Sequence, residues 1–333
     1  MKDLTKWWLD YMPLNEEEQQ IIEKYNTTKP IIDNTNKYYL MEKEYFNRMH
    51  FCNITNDYHI TFSENATNFI NLLFDDYVDD ETLIISSCCE HSNVDKNLKK
   101  YNNKLILTID DIFSLKLEPY IGTIKQYKKV FVYIIGTQIS TGLITPQSFF
   151  EKLKRILTHN DIQNIFVLDD VHGMFLTPRD YSLFDYILYT AHSLIRNYDM
   201  GLLVSKDGKY GYKALNWGNE YLKMLDIILK RMNKMKIFSY VMSNEFYEYI
   251  SNGKFEILNF TSPHIFAPKT TQYKYTQRMY DILNENEIRL EGIELENTYI
   301  RFRAQHYIKN PEYLTNGIKT LYNILNNAET RQI

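Results

Sequence analysis

Residues 166–201 read FVLDDVHGMFLTPRDYSLFDYILYTAHSLIRNYDMG. The apolar run at 165–168 ends in two acids, Asp169 and Asp170, and His172 follows Asp169 at a spacing of three. A second strand-like run at 186–189 leads into Thr190, Ala191, His192 and Ser193. In open α/β sheets, ligands gather beyond the carboxyl ends of strands. Two such ends carrying acid, imidazole and hydroxyl groups would form a polar cluster on an apolar sheet. Taken singly, the same residues also suit a turn cap at Asp169 and surface histidines.

Outward from this stretch, strand and helix patterns alternate. Residues 58–62, 82–86, 104–108 and 130–135 read as strands, and 68–74 as a helix. Residues 146–158 form an amphipathic helix pattern, FFEKLKRIL at its centre, that leads into the strand ending at Asp169. A further apolar run at 202–204 closes this half. Such alternation predicts an α/β fold with a mostly parallel central sheet and helices on both faces. Residues 1–50 read as helical, with helices at 16–25 and 39–50, and 213–236 reads as another helix. Residues 237–333 predict a small C-terminal α/β domain with helices at 270–284 and 313–326 and a strand at 299–302. The expected division is an N-terminal helical segment (1–50), a large domain (51–236) and the small domain (237–333).

The chain has 333 residues and a net charge of −4, so it offers no general attraction to nucleic acid or to anionic membranes. Cys52, Cys88 and Cys89 make no disulfide framework and no CxxC pair, which favours a reducing compartment. The opening MKDLTKWWLDYMPLNEEEQQ lacks the apolar core of a secretory leader, and no apolar run approaches the length of a membrane span. A cytoplasmic protein without nucleic-acid or membrane partners is the expectation. At 58–74 a strand, a short polar turn (Ser63 to Thr67) and a helix start make an anion site, since free backbone N–H groups face the turn. Ser63 or Asn65 serving only as a helix cap is the plainer reading.

The 166–201 stretch resembles the core of pyridoxal-phosphate (PLP) enzymes of the aspartate aminotransferase superfamily, fold type I. Within it, the class V aminotransferase and cysteine desulfurase group is the nearest pattern. Members end one strand in Asp-x-x-His or Asp-x-x-Gln and a later one in Ser/Thr-x-His-Lys, whose lysine forms the Schiff base. Asp169, His172, Thr190 and His192 fall on that pattern, and Ser193 occupies the lysine position. FSENATNFINLL resembles the group's phosphate-binding turn and matches at Ala66, Thr67, Ile70 and Asn71. Asn65 stands where glycine is usual, and Glu64 puts an acid beside the phosphate. EHSNV, 90–94, resembles the Glu-His-x-Ser motif and places His91 on the imidazole that stacks on the cofactor ring. A helix N-cap by Ser92, with His91 exposed, is the plainer reading of those residues. In 136–146, Gly142 and Pro146 fit the group's turn, with Gln138 nearest to its usual asparagine. YIRFRAQHYIKNPEYLTNGIKTL, 299–321, places Arg301 on the arginine that binds a substrate carboxylate, a task suited to its planar fork. The α-oxoamine synthases of the same fold carry an Asp-Asp-Ala-His-Gly string similar to 169–173, but 66–67 and 301–314 fit class V better.

The resemblance implies a cofactor-binding set of Ala66, Thr67, His91, Asp169, His172, Thr190 and His192. It also implies catalytic positions at Ser193, His91 and His172, substrate binding by Arg301, no metal, and a homodimer. Serine cannot hold PLP covalently and is a poor base, so ordinary transamination should be lost or severely slowed. With no cysteine after Cys89, cysteine desulfurase chemistry is not expected. Three readings stay open. One is a degenerate homologue with a binding or scaffold role, holding PLP or pyridoxamine phosphate non-covalently, or no cofactor. Another is a lysine-independent enzyme that uses either cofactor on an amino acid or amino/keto sugar, with a histidine as base. The last is the same fold binding another phosphorylated ligand.

Overall fold

The computed structural model describes residues 15–27, 31–33, 58–63, 65–88, 91–138, 143–171, 179–190, 201–210 and 214–216, with positions 227, 281 and 323 and short segments at 255–256, 265–266, 269–270, 292–294 and 299–303. The first described helix is α1 (Glu16–Thr27), followed by β1 (Ile31–Asp33), β2 (His59–Ser63) and α2 (Ala66–Tyr77). Next come β3 (Thr82–Ser87), α3 (Ser92–Leu98), β4 (Lys104–Leu107), and the short helices α4 (Ile109–Phe113) and α5 (Ile121–Ile124). Then follow β5 (Lys129–Ile135), α6 (Gln147–His159), β6 (Gln163–Asp169), β7 (Tyr186–Thr190), β8 (Gly201–Ser205) and β9 (Ala214–Asn216). Further along lie the short strands β10 (Phe255–Glu256), β11 (Ile265–Phe266), β12 (Lys269–Thr270), β13 (Gly292–Glu294) and β14 (Tyr299–Arg303).

The apolar runs seen in the sequence form the middle of a seven-stranded sheet, in the order β2-β8-β7-β6-β5-β3-β4. All of β3 is buried, as is β5 beyond Lys129, which is the behaviour of strands covered on both faces. The pairs β4/β3, β3/β5, β5/β6 and β6/β7 are parallel. β8 runs against both of its neighbours, β7 and β2. The expected parallel α/β architecture is therefore present, with one reversed strand.

Helix α2 covers the sheet through Phe69, Ile70, Leu73 and Phe74, the i, i+1, i+4, i+5 stripe of an amphipathic helix. Phe74 meets the rings of Phe131 and Tyr133 at 5.1 and 5.7 Å. Each such buried ring contributes about 2–3 kcal/mol. Helix α6 buries Phe149, Phe150, Leu153 and Leu157, and Phe150 stacks edge-on to Phe184 at 4.9 Å. Pro146 stands at its N-cap, where a missing N–H leaves no helical bond unmade. Helix α4 opens with a capping box between Thr108 and Asp111.

One expectation is corrected. Within 1–50, Ile31–Asp33 lies between the expected helices at 16–25 and 39–50 and is a strand. It pairs antiparallel with Ala214–Asn216, which sequence pattern assigned to the 213–236 helix. Each three-residue run is too short to carry its own period, so the pairing partner decides its state. The expected helix at 39–50 lies outside the described residues, as do those at 270–284 and 313–326 apart from Thr270, which is the last residue of β12 rather than helix, and the helical positions Asp281 and Asn323.

The chain divides into two compact units. One comprises Asn15–Gln138 with Ile144–Leu229 and holds the large sheet, and Lys230–Ile333 falls in the other. In the second unit, β14 pairs antiparallel with β11, β12 and β13, and β12 pairs with β10.

Candidate functional site

The carboxyl ends of β3, β5, β6 and β7 all lie at one end of the sheet, because their ladders are parallel and nearly in step. Ile135 pairs with Asp169, and Asp169 with Leu188. The reversed strand β8 begins at that same end, with Gly201 paired to Thr190 on one side and to Ser63 on the other. Helix α2 starts just after Ser63. Fold topology thus gathers Ala66, Thr67, Ser87, Gln138, Asp169 and Thr190 along one sheet end.

Asp169 is 2% exposed. Tyr133 Oη donates to its Oδ2 at 2.6 Å, and the Val171 N–H donates to its Oδ1 at 3.1 Å. Burial pushes its carboxyl above the ordinary 3.8, while the two hydrogen bonds and the nearby His91 imidazole pull it back. Among the described residues no cation forms an ion pair with it. A buried carboxylate with one oxygen on a phenol and the other on a backbone amide is fixed in place and still short of positive charge.

His91 is exposed and forms the N-cap of α3, its Nδ1 accepting from the Asn93 N–H at 3.3 Å. The plainer reading of this motif gave the cap to Ser92, and the structure gives it to His91. Asn93 Nδ2 donates to Thr67 Oγ1 at 2.9 Å, and Asn97 Nδ2 to Asn71 Oδ1 at 2.9 Å. Helix α3 is thereby tied to the start of α2. Since Thr67 Oγ1 accepts from Asn93, its own hydrogen remains available to donate.

At the start of α2, Asn65 caps the helix through Oδ1, which accepts from the Asn68 N–H at 3.0 Å. Gly201 lies against this turn, and a Cβ there would sit 2.5 Å from the Ala66 nitrogen. The absence of a side chain at 201 is what lets β8 approach the α2 N-terminus.

Asp170 faces a different environment. Arg179 donates to the carbonyls of Gly136 and Thr145 at 2.5 and 2.8 Å, and its Nε lies 3.8 Å from Asp170 Oδ1. Tyr181 Oη donates to Asp170 Oδ2 at 3.3 Å. Burial is the largest influence and pushes the Asp170 carboxyl up to about 7, against the Arg179 charge. A Cβ on Gly136 would sit 2.6 Å from Asp170 Oδ1. This buried pair locks the turn after β5 beneath the site. Gln138 follows that turn, fully buried. Its Nε2 donates to Ser87 Oγ at 3.3 Å, and its Oε1 has no hydrogen-bond partner among the described residues.

Of the residues singled out from sequence, Ala66, Thr67, His91, Asp169 and Thr190 lie in the described part of the large unit. His172, His192 and Ser193 lie outside the described residues. Arg301 lies on β14, paired with Gly292, and its side chain is outside what is described. Tyr133 and Asn93 were not singled out from sequence. The Asn of EHSNV was the available signal for Asn93, and nothing in the local pattern marks Tyr133.

The sheet order, the single reversed strand and the helix after β2 define the class: the fold is that of the fold type I aminotransferases. Histidinol-phosphate aminotransferase from Clostridium acetobutylicum superposes with a TM-score of 0.67 at 14% identity, over 98% of this chain and 100% of that one. Aromatic aminotransferase from Pyrococcus horikoshii OT3 gives 0.70 at 11% identity, over 98% and 96%. A NifS-like protein from Rickettsia africae ESF-5 gives 0.61 at 15% identity, over 93% and 96%. No protein-family model and no curated protein matches the sequence. No described helix is long and apolar enough to cross a membrane.

Proposed function

We propose that the protein is a degenerate, class V aminotransferase-like member of the PLP fold that binds PLP or pyridoxamine phosphate non-covalently and serves a binding role. The carrying observation is the linked series Asp169, His91, Asn93 and Thr67. A buried carboxylate short of positive charge lies within electrostatic reach of His91, and the helix that His91 caps is tied by Asn93 to the Thr67 hydroxyl at a second helix N-terminus. A pyridine ring nitrogen and a phosphate on one small molecule suit those two ends. Asp169 would hold a proton on the ring nitrogen, and His91 would cover the ring face. Thr67 and the free N–H groups of Ala66 and Thr67 would take the phosphate, with Thr190 and His192 beside it.

When bound, the cofactor would supply an electron sink for bonds at an amino-acid α-carbon. Ser193 stands at the lysine position, so this chain lacks the usual tether and proton carrier. Loss of ordinary transaminase activity follows from that. A second reading is a lysine-independent enzyme acting on an amino acid or amino/keto sugar. It is favoured by His91 lying within electrostatic reach of Asp169, where an imidazole can move a proton. His172 is the alternative base, and Arg301 the carboxylate anchor. The fold resemblance also implies a homodimer.

Calorimetric titration of the purified protein with PLP and with pyridoxamine phosphate tests the proposal. Saturable binding that Asp169→Ala abolishes is the expected result. Binding of inorganic phosphate and of both cofactors alike, unchanged in Asp169→Ala, would instead support a fold holding some other phosphorylated ligand. No binding of any of them would overturn cofactor use and leave a scaffold role.

A further inference from the structure

We propose that a groove between α5 and α6 docks an acidic peptide segment of a partner protein, with one branched apolar side chain on its floor. The groove has a volume of about 430 Å³ and is lined by Ile121 and Lys125 from the α5 region and by Lys152, Arg155, Ile156, His159 and Asn160 from α6 and its end. It is distinct from the strand-end site: its stripe on α6 flanks the Phe149, Phe150, Leu153 and Leu157 face that packs inward and runs to the C-terminal end of the helix, which leads into the start of β6.

The spacing makes a continuous surface. Positions 152, 155, 156 and 159 lie three or four apart, so they share one helix face. Lys152 to His159 spans about 10 Å along the axis, a length covered by about three residues of extended chain. Ile121 and Ile156 are partly exposed and form an apolar floor between cationic walls.

Charge decides the occupant. The whole chain carries −4, yet the groove has three lysine or arginine side chains, one histidine and no acid in its lining. The neighbouring carboxylate of Glu118 is taken by Lys152 at 2.5 Å, and Lys152 also donates to the Leu115 carbonyl at 2.7 Å. Lys152 is thereby held in place as a wall. Among the described residues the side chains of Lys125 and His159 make no hydrogen bond or ion pair, and the Arg155 side chain reaches the Glu151 carbonyl at 3.4 Å. The charges of Lys125 and Arg155, with the His159 ring beside them, are available to carboxylates on a ligand. A small inorganic anion would leave the isoleucine floor uncovered, whereas an apolar residue flanked by acids satisfies floor and walls together.

Fluorescence anisotropy with a labelled Glu-Glu-Ile-Glu-Glu peptide tests the proposal on the intact protein. Saturable binding is expected, weakened at least about tenfold by Arg155→Glu or Lys125→Glu. A peptide with serine in place of isoleucine should also bind about tenfold more weakly. Raising salt from about 50 to about 300 mM should weaken binding several-fold. Both substitutions fall on exposed side chains, and unchanged circular dichroism and melting would show intact folding. Absence of saturation by about 1 mM peptide would overturn the proposal, on the affinity scale of weak peptide docking. So would binding indifferent to Arg155→Glu, or equal binding of the serine peptide, which would reduce the groove to a diffuse charge effect.

Discussion

Tyr133 and Asp169 meet across adjacent parallel strands, with the phenol hydroxyl donating to Asp169 Oδ2 at 2.6 Å. The phenol takes one carboxylate oxygen and the Val171 amide holds the other. Asp169 is therefore presented in one orientation at the strand end. The positioning is built into the sheet core, where Tyr133 is itself fully buried.

Tyr133→Phe should accordingly act on Asp169 without emptying the core, since the ring stays and only the hydroxyl is lost. Removing a hydrogen bond to a buried acid costs about 1–3 kcal/mol. The carboxyl, already raised by burial, should rise further without this donor. Calorimetric titration with pyridoxamine phosphate should show affinity reduced about tenfold, while circular dichroism stays native. Unchanged affinity would separate Asp169 from cofactor binding.

Gly201→Ala probes the approach of β8 to the start of α2. An added Cβ would overlap the Asn65 carbonyl carbon and lie 2.5 Å from the Ala66 nitrogen, both backbone atoms that cannot swing aside. The strand or the turn must move. Overpacking of this kind costs about 1–3 kcal/mol, read as a lower midpoint in urea unfolding. Cofactor affinity should fall with it, because the displaced atoms bear the helix N–H groups.

Much of this arrangement was legible in the sequence, and the gaps have physical reasons. The buried runs at β5 and β6 and the amphipathic α6 announced an α/β sheet, because burial on both faces leaves continuous apolar strings. The direction of β8 was not legible, since Leu202, Leu203 and Val204 read alike in parallel and antiparallel ladders. β9 was assigned to a helix because its state depends on Ile31–Asp33, far away in sequence. Asp169 stood out through its spacing to His172, but its partner Tyr133 did not. That contact is fixed by the β5/β6 register, which no local pattern reports. Asp170, next in sequence, serves the buried Arg179 pair.

That pair gives stability a specific pH dependence. The Asp170 carboxyl sits at about 7 in the folded protein against 3.8 for an ordinary aspartate. Between those values the folded state holds a proton that the unfolded chain releases, so stability falls as pH rises through the window and levels off above it. Asp170→Asn removes the titration and should flatten the curve. Urea unfolding from about pH 5 to about pH 8 measures it. The opposite sign belongs to Asp79, held down to about 2 chiefly by its hydrogen bond from Lys129. Its contribution is present above 3.8 and is lost only as pH falls towards about 2, outside the Asp170 window.

Arg179→Met should be more damaging than Asp170→Asn. It leaves the Gly136 and Thr145 carbonyls without their guanidinium donors and strands a buried acid. Breaking one side of a buried pair costs about 3–5 kcal/mol. The double variant, Arg179→Met with Asp170→Asn, should recover part of that loss, because the acid no longer needs a counter-charge. A double-mutant cycle in urea yields the coupling directly, and simple additivity would show that the two residues act independently.

Ser193→Lys tests the reading of the lysine position. If the strand-end site retains the geometry of a cofactor pocket, an amine placed there should capture PLP covalently. Borohydride reduction followed by intact mass measurement would then show an added phosphopyridoxyl group. The parent protein should show none, and Ser193→Lys combined with Asp169→Ala should show much less, because the ring is no longer oriented. Pyridoxamine phosphate serves as the control, since it has no aldehyde to react. Capture in the single variant alone would establish that only the tether has been lost. Equal labelling of the single and double variants would mark ordinary surface lysine chemistry and sink the assignment of Ser193.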